Sequence, residues 1–112
     1  DFSNRGKHQW LDMLIEDDFK ELTEVKTVGE ICCRFFDSKG KEVYKDLQER
    51  TIAISLEAIK NIPKSLAVAY GDTKVSAILS VLRATLVNHL ITDKNTILKV
   101  LEEDGDFTFR NI

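Results

Sequence analysis

The segment Leu66–Leu79, LAVAYGDTKVSAIL, constrains the fold more than any other part of the chain. It reads as a buried strand, a tight glycine turn and a helix that opens on a lysine. Leu66 to Ala69 is a short apolar run bounded by turn signals, the pattern of a central parallel strand. Gly71 permits a sharp turn and close approach of a ligand to the backbone. Asp72 or Thr73 is suited to cap the helix by accepting a hydrogen bond from a free backbone N–H. Lys74 is the unusual residue. A cation in the first turn faces the positive end of the helix dipole, at a cost of a few tenths to ~1 kcal/mol. An anion is favoured at the same place. Lys74 therefore either meets a phosphate or another polar ligand group, or simply projects into water.

The pattern continues on both sides. Trp10 to Leu22 has helical spacing, with the acidic residues of its middle expected to face water. Val28 to Phe36 is apolar and β-rich and predicts a strand. Asp37-Ser38-Lys39-Gly40 predicts a turn with Gly40 at positive φ, and Glu42–Tyr44 a short extended piece. Arg50–Ile54 alternates like a strand. Ser55 caps a short helix that buries Leu56, Ile59 and Ile62 and stops at Pro63. After the Leu66–Ala69 strand, the helix over Thr73–Leu86 buries Val75, Ile78, Leu79, Leu82 and Leu86. Asn88–Ile91 predicts the next strand, and Asp93 caps a helix over Lys94–Glu103. The fold class is α/β: a mostly parallel, Rossmann-like sheet with flanking helices. Ligands of such sheets bind outside the carboxyl ends of the strands. Gly71–Lys74 and Thr92–Lys94 both lie on that edge.

The totals narrow the function classes. A chain of 112 residues, 43% hydrophobic and 31% charged, suits one small domain. A net charge of −3 without a basic stripe argues against a grip on nucleic acid by this segment itself. No apolar run is long enough for a bilayer span and no signal peptide stands out, so a cytoplasmic location is expected. Asp1 is not an initiator residue, so a processed or partial chain is expected. Cys32 and Cys33 are adjacent, which is poor disulfide geometry, and they read as reduced, buried small hydrophobes. There is no P-loop, dinucleotide fingerprint, nucleophile elbow or zinc-protease motif. His8 and His89 are far apart in sequence, and no metal site can be assembled. His89 reads as a structural histidine. Glu30, after Gly29 at the entry to a strand, either accepts hydrogen bonds from sugar hydroxyls or is a surface residue at a strand end.

Several of these stretches share a resemblance. VGEICCRFFDSKG (Val28–Gly40) resembles the VGDI…RFFD..G segment of SorC-family transcriptional regulators. RTIAI (Arg50–Ile54) resembles their RTIGI, AVAYGDTKVSAI (Ala67–Ile78) their AVAGG..K..AI, and LITD (Leu90–Asp93) the same tetrad. These motifs occur in the family's order, and the match looks closest to regulators of sorbitol operons. The resemblance implies a C-terminal effector domain that resembles sugar-phosphate isomerases in fold. It implies a phosphorylated sugar or sugar alcohol as ligand, homo-oligomerisation, and DNA contact only through a helix-turn-helix domain that this chain does not contain. Residues 1–112 would be the C-terminal part of that effector domain. Carried over by motif, Glu30 matches an acidic residue that contacts sugar hydroxyls, and Lys74 a lysine that contacts the ligand. Gly29, Gly71 and Tyr70 flank them. Tyr70 replaces the first glycine of the family's pair and would place a ring and a hydroxyl beside the site. No cofactor, metal or catalytic residue is expected. Two other readings stay open: a sugar-phosphate isomerase with Glu30 as base and Lys74 as electrophile, and a structural assembly module.

Overall fold

The computed structural model describes residues 14–108. Helix α1 spans Glu16–Glu24, and the earlier part of the helix predicted from Trp10 lies outside the described residues. The Ile15 N–H donates to Asp18 Oδ2 at 3.1 Å and fixes the start of α1. Phe19 and Leu22 then face Phe35 and Leu47 in a first core cluster. Asp18, expected to face water, is instead fully buried. It accepts from the Tyr44 hydroxyl at 2.8 Å and pairs with Arg50. Helical periodicity alone placed Asp18 on the wet face. What draws it inward is a pair of partners 26 and 32 residues away.

The predicted Val28–Phe36 strand is two strands. Strand β1 (Gly29–Ile31) and strand β2 (Arg34–Phe36) pair antiparallel, with Ile31 opposite Arg34. Cys32 and Cys33 form the turn between them, at φ +50° and +64°. Both cysteines are exposed, which corrects the expectation of burial. Helix α2 (Lys45–Arg50) and helix α3 (Leu56–Lys60) follow. Ser55 caps α3 as expected, its Oγ accepting from Ala58 N at 3.1 Å.

The strand predicted over Arg50–Ile54 does not form. Arg50 ends α2, and Arg34 takes the next carbonyls: Nη2 donates to Ala53 O at 2.6 Å and Nε to Ile54 O at 3.2 Å. A guanidinium thus does the work of a neighbouring strand, and Ile52 and Ile54 are left exposed.

Strand β3 (Leu66–Val68) leads through Gly71 and a single 3₁₀ turn (Asp72–Lys74) into helix α4 (Val75–Arg83). Strand β4 (His89–Ile91) leads into helix α5 (Lys94–Asp104). Strands β3 and β4 are parallel, with Leu66 opposite His89 and Val68 opposite Ile91. The described residues therefore form a small α/β unit with two separate two-stranded sheets. Among the described residues the mostly parallel sheet expected from the sequence is replaced by two small ones, because β1 and β2 pair with each other, with one further bridge from Phe36 to Glu42, and not with β3 or β4.

The core lies on one side of the β3–β4 pair. Ala67 packs with Phe36, Leu56, Ile59, Leu86 and Val87, while Ala69 and Leu90 pack with Val75, Ile78, Leu79 and Val100. The alternate residues point the other way, and Leu66, Val68 and Ile91 are 60%, 66% and 55% exposed. Strand β3 is thus half-open rather than buried, since no described element covers its second face. Ile62 and Leu82, also expected inward, are exposed. His89 is exposed too, with Nδ1 2.7 Å from Asn88 Oδ1. The Asp37–Gly40 turn docks on α4. The buried Ser80 hydroxyl donates to Asp37 O at 2.7 Å, and Gly40 has φ +75° as expected.

Candidate functional site

Parallel pairing brings the carboxyl ends of β3 and β4 to one edge, and with them the starts of α4 and α5. The two loops there are tied together. Gly71 N donates to Thr96 Oγ1 at 2.8 Å, and that hydroxyl donates to Asp93 Oδ2 at 3.0 Å. Asp93 Oδ1 accepts from Thr96 N at 2.8 Å, the expected helix cap. Thr96 is buried. One hydroxyl therefore links the glycine turn after β3 to the cap of α5. Asp72 is held from the other side by Lys99, at 2.6 Å.

Between these loops lies an open cleft of about 370 Å³ lined by Gly71, Asp72, Asp93, Lys94, Asn95 and Thr96. That volume falls within the range of small-ligand sites, ~300–1,000 Å³. Its walls carry carboxylate acceptors, an amide, an ammonium and the N-terminus of an eleven-residue helix. The carboxylates and the amide of this set accept hydrogens from hydroxyls, while Lys94 and the helix start favour an anion. Thr92 Oγ1, at the end of β4, is buried with no hydrogen-bond partner among the described residues.

The residues singled out from the sequence fall in three places. Gly71 lines the cleft. Tyr70 precedes it and is 70% exposed, and Lys74 is exposed at the foot of α4. Glu30 is exposed on the hairpin, where Oε2 accepts from Cys33 N at 3.0 Å. Gly29 has a packing role: a Cβ there would lie 2.7 Å from Ala77 Cβ and 2.8 Å from the Phe36 ring. That contact sets β1 against α4 one turn beyond Lys74. Thr96 escaped the sequence reading. Its signal was the Asp93-x-x-Thr96 spacing, in which the fourth residue can answer its own cap.

Thr96→Val keeps the side-chain shape and removes the hydroxyl. The expected loss is about 1–2 kcal/mol, seen as a lower denaturant midpoint. An unchanged midpoint would show that the bridge contributes nothing to stability.

A parallel strand pair with a tied, polar carboxyl edge defines a ligand-binding α/β unit. The family model described as "Putative sugar-binding domain" matches residues 1–102, and the chain belongs to that family. A solved transcriptional regulator from Streptococcus pneumoniae TIGR4 superposes with TM-score 0.87 at 90% identity, over 95% of this chain and 40% of that one. The deoxyribonucleoside regulator of Bacillus subtilis (strain 168) is 39% identical over 77 residues, which is 69% of this chain and 25% of that protein. The sorbitol operon regulator of Klebsiella pneumoniae is 32% identical over 76 residues, 68% of this chain and 24% of that protein. The chain thus spans about a quarter of the length of these curated relatives. Among the described residues, no helix is long and apolar enough to cross a membrane.

Proposed function

We propose that residues 1–112 are the C-terminal part of an effector-binding domain that senses a phosphorylated sugar or sugar alcohol for a transcriptional regulator. The observation that carries this reading is the pair of tied loops at the β3–β4 carboxyl edge, in a chain of the sugar-binding family. Asp93 and Asn95 suit hydroxyls, and Lys94 and the start of α5 suit a phosphate, with Lys74, exposed at the foot of α4, as a further cation toward it. Glu30 orients further hydroxyls from the hairpin, and Tyr70 borders the pocket. The Glu30 carboxylate is already held by Cys33 N, so the ligand meets a fixed acceptor. The relatives are named as regulators, one a deoxyribonucleoside regulator and one a sorbitol operon regulator, which supports a sensor over an enzyme. The sheet would be completed, Rossmann-like, by parts of the regulator outside this chain. Those parts would also supply the helix-turn-helix contact to DNA, in the cytoplasm. Ligand binding would act by favouring one subunit arrangement of a homo-oligomer over another, which requires different affinities in the two states.

The test is Lys74→Ala in a full-length regulator carrying this segment. Loss of a charge-assisted contact costs about 1.5–3 kcal/mol, roughly ten- to a hundredfold in effector affinity, with the fold intact. Unchanged affinity would remove Lys74 from the site.

A further inference from the structure

We propose that Cys32 and Cys33 form a two-thiol chelating site for a monosubstituted trivalent arsenical, a thiophile whose centre is satisfied by two sulfurs. The two residues are the whole turn of the β1–β2 hairpin, since the ladder closes at Ile31–Arg34. Both thiols are free and exposed. Both residues have positive φ, +50° and +64°, the combination that two-residue hairpin turns normally fill with Asn-Gly. Side chains other than glycine, asparagine or aspartate are disfavoured there. Two successive cysteines in such a turn point to use of their side chains, because the backbone does not favour them.

The backbone that carries the thiols is anchored on both sides of the turn. Glu30 Oε2 accepts from Cys33 N at 3.0 Å, and Arg34, the next residue, is anchored to Ala53 O and Ile54 O. Oxidation of the pair to its own disulfide is disfavoured by geometry. Adjacent Cα atoms are ~3.8 Å apart, below the ~4.4 Å lower end of ordinary disulfides. A single bridging atom relaxes that constraint, because its two sulfurs sit well beyond the ~2.05 Å of an S–S bond. The donor count selects the guest. Among the described residues no three His, Cys, Asp or Glu side chains converge as a metal site, so a tetrahedral zinc centre is not built here. Soft sulfur donors and a coordination need of two fit trivalent arsenic that already carries one carbon substituent. The exchange balances without an oxidant. Two As–S bonds replace the two As–OH bonds of the hydrated arsenical, and the thiol protons leave with the hydroxyls as two waters.

The experiment uses the 112-residue chain, whose only cysteines are these two. Phenylarsine oxide is added, and adducts are read by intact mass. The expected result is one adduct per chain that survives excess monothiol and is stripped by a 1,2-dithiol. Cys32→Ser and Cys33→Ser each lose the monothiol-resistant adduct. An adduct stripped by monothiol as readily from the parent chain as from either variant would overturn the proposal. The double variant Cys32→Asn/Cys33→Gly serves as the folding control. It should take no arsenical and melt higher, by about 4–8 °C, if the backbone preference is relieved. A lower melting temperature would show that the thiols serve the fold, and would count against the site.

Discussion

Asp18→Ala should destabilise the fold by about 2–3 kcal/mol. The carboxylate is fully buried and accepts from three partners: the Tyr44 hydroxyl, the Ile15 N–H and the Arg50 guanidinium. Removing one member of a buried ion pair commonly costs ~3–5 kcal/mol, because the other charge is left without a partner. Arg50 is 46% exposed and keeps Asp46 at 3.0 Å, so it recovers hydration and the loss falls below that range. Tyr44 has no such relief in its backbone. It sits at φ +63° at the start of α2, and its link to Asp18 helps hold it there. The variant should therefore loosen α1 and α2 together. A denaturant midpoint within error of the parent would contradict this.

The same carboxylate sets an acid limit. Burial alone would raise its pKa, but the hydrogen bonds from Tyr44, Ile15 N and Arg50 outweigh it and hold the pKa below the ordinary carboxylate value. The ionised form is thus bound more tightly by the folded chain than by the unfolded one. Its stabilisation is fully present above the unfolded pKa of ~3.9 and is lost as pH falls through the lower, folded value. Unfolding free energies measured from pH 6 downward should fall less steeply in Asp18→Asn than in the parent.

Gly40→Ala should cost about 2–4 kcal/mol, from a left-handed backbone and an overfilled contact. Gly40 has φ +75°, and a Cβ there would lie 2.3 Å from the Cβ of Ala84, the residue that ends α4. Neither atom can turn away, because both are the first carbon of their side chains. The turn would have to lift off the helix, and the Ser80 hydrogen bond to Asp37 O would go with it. Gly105→Ala separates the two causes. Gly105 also has positive φ, +84°, but a Cβ there meets nothing within 4 Å. Only the backbone cost, ~1–2 kcal/mol, is expected at that position. Equal losses at the two glycines would show that the Ala84 contact is relieved elsewhere.

Local signals were read correctly where the chain settles its own conformation. Ser55 and Asp93 cap the helices they precede, Gly40 takes positive φ, and the strand–glycine–helix run from Leu66 is present, although Lys74, with no side-chain cap, and not Asp72 or Thr73 stands before α4. Two of the failures share a cause, which is a distant partner overriding a local pattern. Asp18 is polar in a helix and reads as surface until Tyr44 and Arg50 fold against it. Arg50–Ile54 alternates like a strand, yet the carbonyls of Ala53 and Ile54 are taken by Arg34 from across the hairpin. Cys32-Cys33 carries none of the usual turn residues, so nothing local interrupts the apolar run from Val28 to Phe36. At the candidate site, Gly71 and Asp93 were legible as turn and cap. Their connection through Thr96 was not, because the bond from Gly71 spans 25 residues.

On the proposed reading this edge binds a phosphorylated sugar and returns it unchanged. The most direct measurement is calorimetric titration of a full-length regulator carrying this segment with hexitol, hexose and pentose phosphates. Phosphorus NMR of the same mixtures follows the fate of each compound. Saturable binding of at least one phosphorylated compound, no binding of its unphosphorylated form and an unaltered spectrum after incubation are the expected results. Equal binding of the unphosphorylated sugar would contradict the proposed anion site near Lys74, Lys94 and the α5 start, and conversion of the phosphate would contradict the proposed sensor.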